Sequence, residues 1–209
     1  MLKKIIIASI LIALGSLWAF AYSNSDIETA NFLANKWVIV DNSSNPGSYR
    51  LDDTITRREM LKIMMKISGK TVQEVCASAS FSDMNTWDWG CKYGEAALEN
   101  WYIAANTTFR PSDNISKIES LKMIMQASDI KRFENDDWRA GYVEKAEAEW
   151  LLSFAFTDYN TSATRSWIFK TAGQTFSDFN VQIDTSDIIN AEDLLEKSEE
   201  ELIEFFLGL

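Results

Sequence analysis

Three positively charged side chains at recurring positions are the residues of this sequence whose spacing best fits ligand recognition. Each follows a hydroxyl residue: Arg57 follows Thr56, Lys117 follows Ser116, and Arg165 follows Thr164. The macrodipole of a helix opposes a cation in its first turn by about 0.3 to 1 kcal/mol. The recurrence therefore predicts a partner for each cation, either an acidic side chain of a neighbouring repeat or an anionic ligand. For Lys117 the structural partner is favoured, because lysine lacks the planar fork with which arginine binds a carboxylate.

Each of these cations lies in a short segment, called a box below, that begins at the hydroxyl residue Thr56, Ser116 or Thr164. The other polar residues of the boxes have a structural explanation. Thr-x-x-Glu and Ser-x-x-Glu are capping boxes, in which the hydroxyl accepts from the third helical amide and the carboxylate accepts from the cap amide. In the third box the hydroxyl is kept, but Trp167 stands in the place of the glutamate. The predicted capping residues are Thr56, Glu59, Ser116, Glu119 and Thr164. Only the cation of each box remains as a candidate for ligand binding.

The composition narrows the function further. The chain has 31 acidic and 20 basic residues, a net charge of −11, which argues against nucleic acid and anionic membranes as partners. It has no histidine, no Ser or Cys nucleophile motif and no carboxylate pair that stands out from the general acidity. These features disfavour an enzyme, and the sequence predicts neither a cofactor nor a metal site.

The N-terminal residues indicate export. Lys3 and Lys4 precede an apolar run that ends in Ala19-Phe20-Ala21. A basic start, a short apolar region and a small-residue cleavage site are typical of a secretory signal peptide. We expect residues 1–21 to be this peptide, with an uncleaved N-terminal anchor as the alternative. In both cases the rest of the chain is exported, and no membrane association is expected after cleavage.

Cys76 and Cys91 are the only cysteines of the chain. In an exported protein an isolated pair of cysteines predicts a disulfide. This disulfide would close a loop of about fifteen residues, which stabilises a fold by about 3 kcal/mol. A zinc site is the weaker alternative, because two thiolates in a chain without histidine do not complete its ligand shell.

Internal repeats determine the architecture. Three box segments align, TRREMLKIMMKISG from Thr56, SKIESLKMIMQAS from Ser116 and TRSWIFKTAG from Thr164, and each contains a lysine at the same position. Upstream of them lie ETANFLANKWVI, GEAALENWYI and EKAEAEWLL. The apolar spacing of all six segments is helical, so each repeat is predicted to be helix, loop, helix.

The tryptophans fall into two groups. Trp37, Trp101 and Trp150 end the first helix of each repeat, and we expect them to be wedges in the core. Trp89 and Trp138 each precede a tyrosine by four residues. These two fit either a core position or an aromatic platform for a ligand. Asp83 and Asp137, which lie upstream of these tyrosines, are predicted to cap backbone amides rather than to bind a metal.

The order of these motifs resembles the S-layer homology (SLH) module. Phe81-Ser82-Asp83, Trp89, FRPSDN and ISKIE follow one another in the second repeat, and the first has ITRRE. The resemblance covers about Ser25 to Phe176. It implies an all-α fold of three helix-loop-helix repeats in a pseudo-threefold arrangement around a central helical bundle. The predicted repeats are residues 25–69, 81–130 and 132–175, followed by an acidic segment at 176–209 that includes an amphipathic C-terminal helix.

The resemblance also implies a function. In that family the grooves between repeats hold an anionic, often pyruvylated, cell-wall polysaccharide. The residues carried over are Arg57, Lys117, Arg165, Trp89 and Trp138. We therefore expect a secreted, non-catalytic module that attaches to the cell wall by binding this polysaccharide. The alternative is a structural or protein-interaction protein of the cell envelope that has the fold without glycan binding. The family usually has glycines around the loop after the first helix, where this chain has tryptophans.

Overall fold

The computed structural model describes residues 24–152 and 155–179. The predicted signal peptide (1–21) and all but the first four residues of the predicted acidic segment (176–209), with its C-terminal helix, lie outside them. Within the described residues the chain is all-α, as predicted, with isolated bridges in place of strands. The helices are α1 Asn24–Asn35, α2 Arg57–Ile67, α3 Cys91–Glu99, α4 Lys117–Ala127, α5 Trp138–Ala148 and α6 Arg165–Gly173, with a short 3-10 helix at Pro46–Tyr49. None of the helices in this part of the chain has the length and apolar character needed to cross a bilayer.

The box helices α2, α4 and α6 begin at side-chain caps. The hydroxyls of Thr56 and Ser116 accept from the amides of Glu59 and Glu119, and both glutamates accept from the cap amides in return. Thr164 accepts from the amide of Trp167, which has no carboxylate to reciprocate. Each cap residue has an extended backbone, so the chain enters each helix by a sharp turn.

The starts of the three box helices are joined by their backbones. Ile115 donates its N–H to Ile55 O at 3.0 Å, Ala163 donates to Ile115 O at 2.9 Å, and Ile55 donates to Ala163 O at 3.3 Å. These three residues lie directly before the caps and are fully buried. They therefore form a closed ring of three hydrogen bonds.

A second set of backbone bonds surrounds this ring. The N–H groups of Arg57, Lys117 and Arg165 donate to the carbonyls of Asp113, Thr161 and Asp53. The first amides of a helix have no partner within the helix. Here the first amide of each box helix is satisfied by the segment that precedes another box, so the start of each box helix is fixed to a neighbouring repeat.

The box helices contribute many of the buried side chains of the core. Helix α2 packs on α3 and α4, and α4 packs on α5 and α6. Helix α6 reaches α1 through Asp26, which accepts from Ser166 Oγ at 2.6 Å and lies 2.6 Å from Lys170 Nζ. Burial of each large apolar side chain contributes about 1.5 to 3 kcal/mol. The fully buried side chains of these helices include Met60, Leu61, Met64, Leu121, Ile124, Met125, Ile168 and Phe169.

The prediction that Trp37, Trp101 and Trp150 are core wedges is wrong. Their exposed fractions are 82%, 88% and 83%, and their φ angles are 61°, 60° and 60°. Each occupies the left-handed position after a helix, and the next residue donates back to a carbonyl five residues earlier, as Val38 does to Leu33 O. This is a Schellman ending, in which the residue after the left-handed position contacts the helix. Val38 and Leu151 are accordingly buried.

The predicted disulfide between Cys76 and Cys91 is confirmed. It joins the linker between the first two repeats to the first residue of α3. Two further contacts hold the linker: Lys92 Nζ donates to Glu74 O at 3.2 Å, and Ser80 Oγ donates to the Glu95 carboxylate at 2.8 Å. The linker is therefore fixed to the second repeat by covalent and polar contacts.

Candidate functional site

The guanidinium of Arg57 binds other groups of the protein. Its Nη1 lies 2.6 Å from Glu119 Oε1, and its Nε donates to Phe109 O at 2.8 Å. The guanidinium carbon lies 4.9 Å from the centre of the Phe109 ring. The side chain is only 14% exposed. Arg57 therefore connects the first repeat to the second, which is the acidic-partner alternative expected from the sequence.

Arg165 makes the same pair of contacts with the first repeat. Its Nε donates to Tyr49 O at 2.7 Å, and its Nη1 lies 3.7 Å from Glu59 Oε1. Burial lowers the pKa of Arg165, and the charge of Glu59 opposes this effect. In both arginines, Nε binds the carbonyl of an aromatic residue and Nη1 faces the glutamate of a capping box.

Lys117 has a different partner at the equivalent place. Its Nζ lies 5.9 Å from the centre of the Trp167 ring, and Trp167 occupies the position of the missing glutamate. A cation near an aromatic face is attracted by the ring quadrupole. The third contact between repeats is thus a cation–π pair where the other two are ion pairs.

Glu119 is the most highly connected acid of these contacts. Its oxygens accept from Arg57 at 2.6 Å, from Arg110 at 3.4 Å and from the cap amide of Ser116 at 3.2 Å. Burial alone would raise the pKa of Glu119, but the charge of Arg57 and the hydrogen bonds from Ser116 outweigh it and hold the pKa below its usual value. Glu119 is therefore a charged structural residue.

Trp89 and Trp138 lie partly exposed at the surface with a cation on each ring. Arg58 lies 5.7 Å from the Trp89 ring, and Lys122 lies 5.5 Å from the Trp138 ring. Each indole also makes an edge contact with the tyrosine one turn later, Tyr93 or Tyr142, at 6.2 and 6.0 Å. Both tryptophans are exposed enough to contact a ligand.

One cavity brings together two of the residues that the sequence singled out. Cavity A, of about 290 Å³, is lined by Arg57 and Trp138 and also by Phe109, Arg110 and Lys122. It lies between the second repeat and the start of α5. Arg110 and Lys122 were not predicted from the sequence to be binding residues. The signal for Lys122 was present, because the boxes share a lysine at this position.

Two more cavities lie beside the exposed tryptophans. Cavity B, of about 430 Å³, is lined by Trp101, Gln126 and Tyr142 together with Lys131 and Arg132. Gln126 lines cavity A as well. Among the described residues, its Oε1 atom is buried and has no hydrogen-bond partner.

Cavity C occupies the corresponding place between the first two repeats. It has a volume of about 510 Å³ and is lined by Trp37, Lys62, Lys66 and Tyr93 among others. Cavities B and C thus have the same set of groups: a tryptophan whose backbone is in the left-handed conformation, a tyrosine from the first helix of the next repeat, and two cations. The surface positions of Trp37 and Trp101 were not predicted from the sequence, because apolar periodicity does not reveal the backbone angle at a helix end.

The acidic residues considered as possible metal ligands bind backbone amides. Asp137 caps α5 by accepting from Arg139 N at 3.0 Å. Asp83 accepts from the amides of Phe109 and Arg110 at 2.8 and 2.7 Å. These bonds outweigh the effect of burial and lower the pKa of Asp83. Asp83 therefore fixes the turn before the second box rather than capping a helix.

In the part of the chain that the structure describes, one cluster of possible metal ligands stands out. It consists of Cys76, Cys91 and Glu95, whose ligand atoms lie within 4.8 Å of one another. The two sulfurs are bonded to each other, so neither is a thiolate ligand. The arrangement is that of a disulfide beside a carboxylate.

The chain matches no protein-family model and no curated protein sequence.

Proposed function

We propose that this chain is an exported, non-catalytic SLH-like module that binds an anionic cell-wall polysaccharide and thereby attaches to the cell surface. The observation that carries the proposal is cavity A, where Arg110 and Lys122 lie beside the half-exposed face of Trp138. Positive charge next to an indole face suits a sugar that bears a carboxylate or a pyruvyl ketal.

The proposed architecture is three repeats around a pseudo-threefold axis. The closed ring of Ile55, Ile115 and Ala163 supports it, because each member donates to a residue at the same position of another repeat. The box cations support it as well: Arg57 reaches the second repeat, Lys117 the third, and Arg165 returns to the first. The cavities between repeats would then be related sites.

The charge around the cavities supports an anionic ligand. Seven cationic side chains line cavities A, B and C, namely Arg57, Lys62, Lys66, Arg110, Lys122, Lys131 and Arg132. Four acids line them, namely Asp41, Glu119, Asp129 and Glu134. The local balance is positive, although the whole chain is at −11. Since salt screens charges beyond about 8 Å at physiological ionic strength, a ligand in a cavity responds mainly to the local cations.

Within cavity A the residues have separate roles in this proposal. Lys122 Nζ and the half-exposed Arg110 guanidinium would bind the acid group of the sugar, and Trp138 would pack on its apolar face. Arg57 would hold Glu119 and the turn at Phe109 in place, so that its contribution to binding is to position the cavity wall.

Sedimentation with purified cell-wall sacculi tests the proposal. The wild-type chain should sediment, and Lys122→Glu should remain in the supernatant because its charge would repel the acid group. Lys70→Glu makes the same change of charge at an exposed residue that lines none of the three cavities, and it should sediment like the wild type. The proposal fails if the wild type stays soluble or if the two variants behave alike.

A second function is a structural or protein-interaction protein of the cell envelope that has the same fold without glycan binding. The observation that favours it is that all three box cations are engaged in contacts between repeats. Under this alternative the cavities are gaps between repeats, and the wild-type chain would not sediment with sacculi. Sedimentation of the wild type that is lost in Lys122→Glu decides against it.

A further inference from the structure

The tryptophans at the helix ends hold a backbone conformation that their side chains disfavour. Trp37, Trp101 and Trp150 have φ angles of 61°, 60° and 60°. In this region Cβ approaches the carbonyl oxygen, so glycine is the usual residue at the left-handed position of a Schellman ending. The chain nevertheless has the largest side chain at all three positions.

Core packing does not account for these tryptophans. Each indole is more than four-fifths exposed, and the apolar contact of the helix ending is made by the following residue, as for Val38 and Leu151. Backbone strain that persists without a folding benefit points to a functional constraint. The indoles at these positions are therefore explained neither by local conformation nor by burial.

Two of these tryptophans line a cavity with an aromatic partner. Trp37 and Tyr93 line cavity C, and Trp101 and Tyr142 line cavity B. The tyrosine comes in each case from the first helix of the next repeat. Two cations complete each cavity, Lys62 and Lys66 in C and Lys131 and Arg132 in B. The same combination of groups therefore occurs twice.

We propose that Trp37 and Trp101 are ligand-contacting residues, each of which places its indole against a sugar ring of an anionic polysaccharide held in cavity C or B. This inference rests on the proposed function and adds two aromatic contacts to it, outside cavity A. The apolar C–H face of a pyranose fits the face of an indole, while the neighbouring cations bind an acid substituent. The polysaccharide is thereby held at two neighbouring junctions between repeats.

Trp150 provides a matched control. It shares the φ angle and the exposure of the other two. It is not among the residues that line cavities A, B and C, and in the repeat alignment Thr29 stands where the other junctions have Tyr93 and Tyr142. A change at Trp150 thus removes an exposed indole and its backbone strain without removing a proposed ligand contact.

The experiment compares Trp37→Gly, Trp101→Gly, their double variant and Trp150→Gly with the wild type. The probe is the polysaccharide released by mild acid from purified cell-wall sacculi, and binding is measured by titration calorimetry. We expect each single variant at Trp37 or Trp101 to bind about three- to tenfold more weakly and the double variant more weakly still. Trp150→Gly should bind like the wild type.

Thermal melting of the same variants separates a binding role from a structural one. Glycine relieves the strained conformation but gains freedom in the unfolded chain, so each melting temperature should stay within about 3 °C of the wild type or rise. A fall of more than about 5 °C in the double variant would show that the indoles support the fold, and the inference would be refuted.

The binding outcomes distinguish the inference from the function on which it rests. If the wild type binds and the double variant binds equally well, the two tryptophans are not ligand contacts, and the proposed function stands on cavity A alone. If Trp150→Gly weakens binding as much as the other variants, the assignment to cavities B and C is wrong. If the wild type shows no binding, both proposals fail.

Discussion

Arg57 should contribute more to the free energy of unfolding than an exposed cation does. A double-mutant cycle can measure the coupling energy between Arg57 and Glu119. Arg57→Met keeps an apolar stem of similar length and removes the charge. Glu119→Gln keeps a side chain that can still close the capping box. The cycle therefore isolates the contact between repeats from the packing of the stem and from the helix cap.

The expected magnitude follows from the contacts of the guanidinium. The ion pair to Glu119 is partly screened, because that side chain is 35% exposed, so it is worth about 1 kcal/mol. The hydrogen bond to Phe109 O contributes about 1 to 1.5 kcal/mol, and the position over the Phe109 ring about 0.5 to 1 kcal/mol. Arg57→Met should thus reduce the free energy of unfolding by about 3 kcal/mol, a fall of about 6 to 12 °C in melting temperature.

Urea denaturation of the four proteins of the cycle, with the disulfide intact, provides the assay. The coupling energy between the two changes should be about 1 kcal/mol, and Lys70→Met serves as an exposed control that should change stability by less than about 0.5 kcal/mol. If Arg57→Met is no more destabilising than Lys70→Met and the coupling is absent, the arginine does not hold the repeats together. Arg57 would then be available for a ligand, and its structural role between the repeats would be refuted.

Three further outcomes are expected. The pKa of Glu119 is lower in the folded protein than in the unfolded chain. Its contribution to the free energy of unfolding is therefore complete above about pH 4.3 and is lost as the pH falls through the folded pKa. Urea titrations between pH 3 and 6 should show that the free energy of unfolding falls less steeply with pH in Glu119→Gln than in the wild type. Thr56→Ala and Ser116→Ala should each cost about 1 kcal/mol in the same assay, with helix content by circular dichroism unchanged under native conditions. Replacing Cys76 and Cys91 together by serine should cost about 3 kcal/mol, and reducing agent should then have no further effect on the melting curve.

The helix starts could be predicted from the sequence because their cause is local. A hydroxyl residue followed by a glutamate three positions later needs only its own turn to form a capping box, and the boxes at Thr56 and Ser116 are formed as the pattern indicates. The disulfide was predictable for a similar reason, since a chain that is expected to be exported and has two cysteines offers one pairing. In both cases the determining interactions involve few residues.

The exposed tryptophans could not be predicted by the same reasoning. Apolar periodicity treats Trp37 as the last apolar residue of α1, although its left-handed backbone turns the chain and makes Val38 the buried residue. The partner of Arg57 was also beyond the sequence, because Glu119 is 62 residues away. A signal for the helix ends did exist: a tryptophan follows the first helix of each repeat, at Trp37, Trp101 and Trp150.

The third contact between repeats shows how the chain preserves a junction while changing its chemistry. Where Arg57 and Arg165 face a capping-box glutamate, Lys117 faces Trp167. Here lysine replaces the arginine and tryptophan replaces the glutamate of the other two contacts. The two replacements fit together, because the lysine has no carboxylate to pair with and the indole offers its face to the ammonium group instead. Since Trp167 also makes an edge contact with Phe156 at 5.8 Å, it contributes apolar packing that a glutamate could not. The third box is thus better explained as one whose contact with the second repeat is held by packing than as a box that has lost a residue.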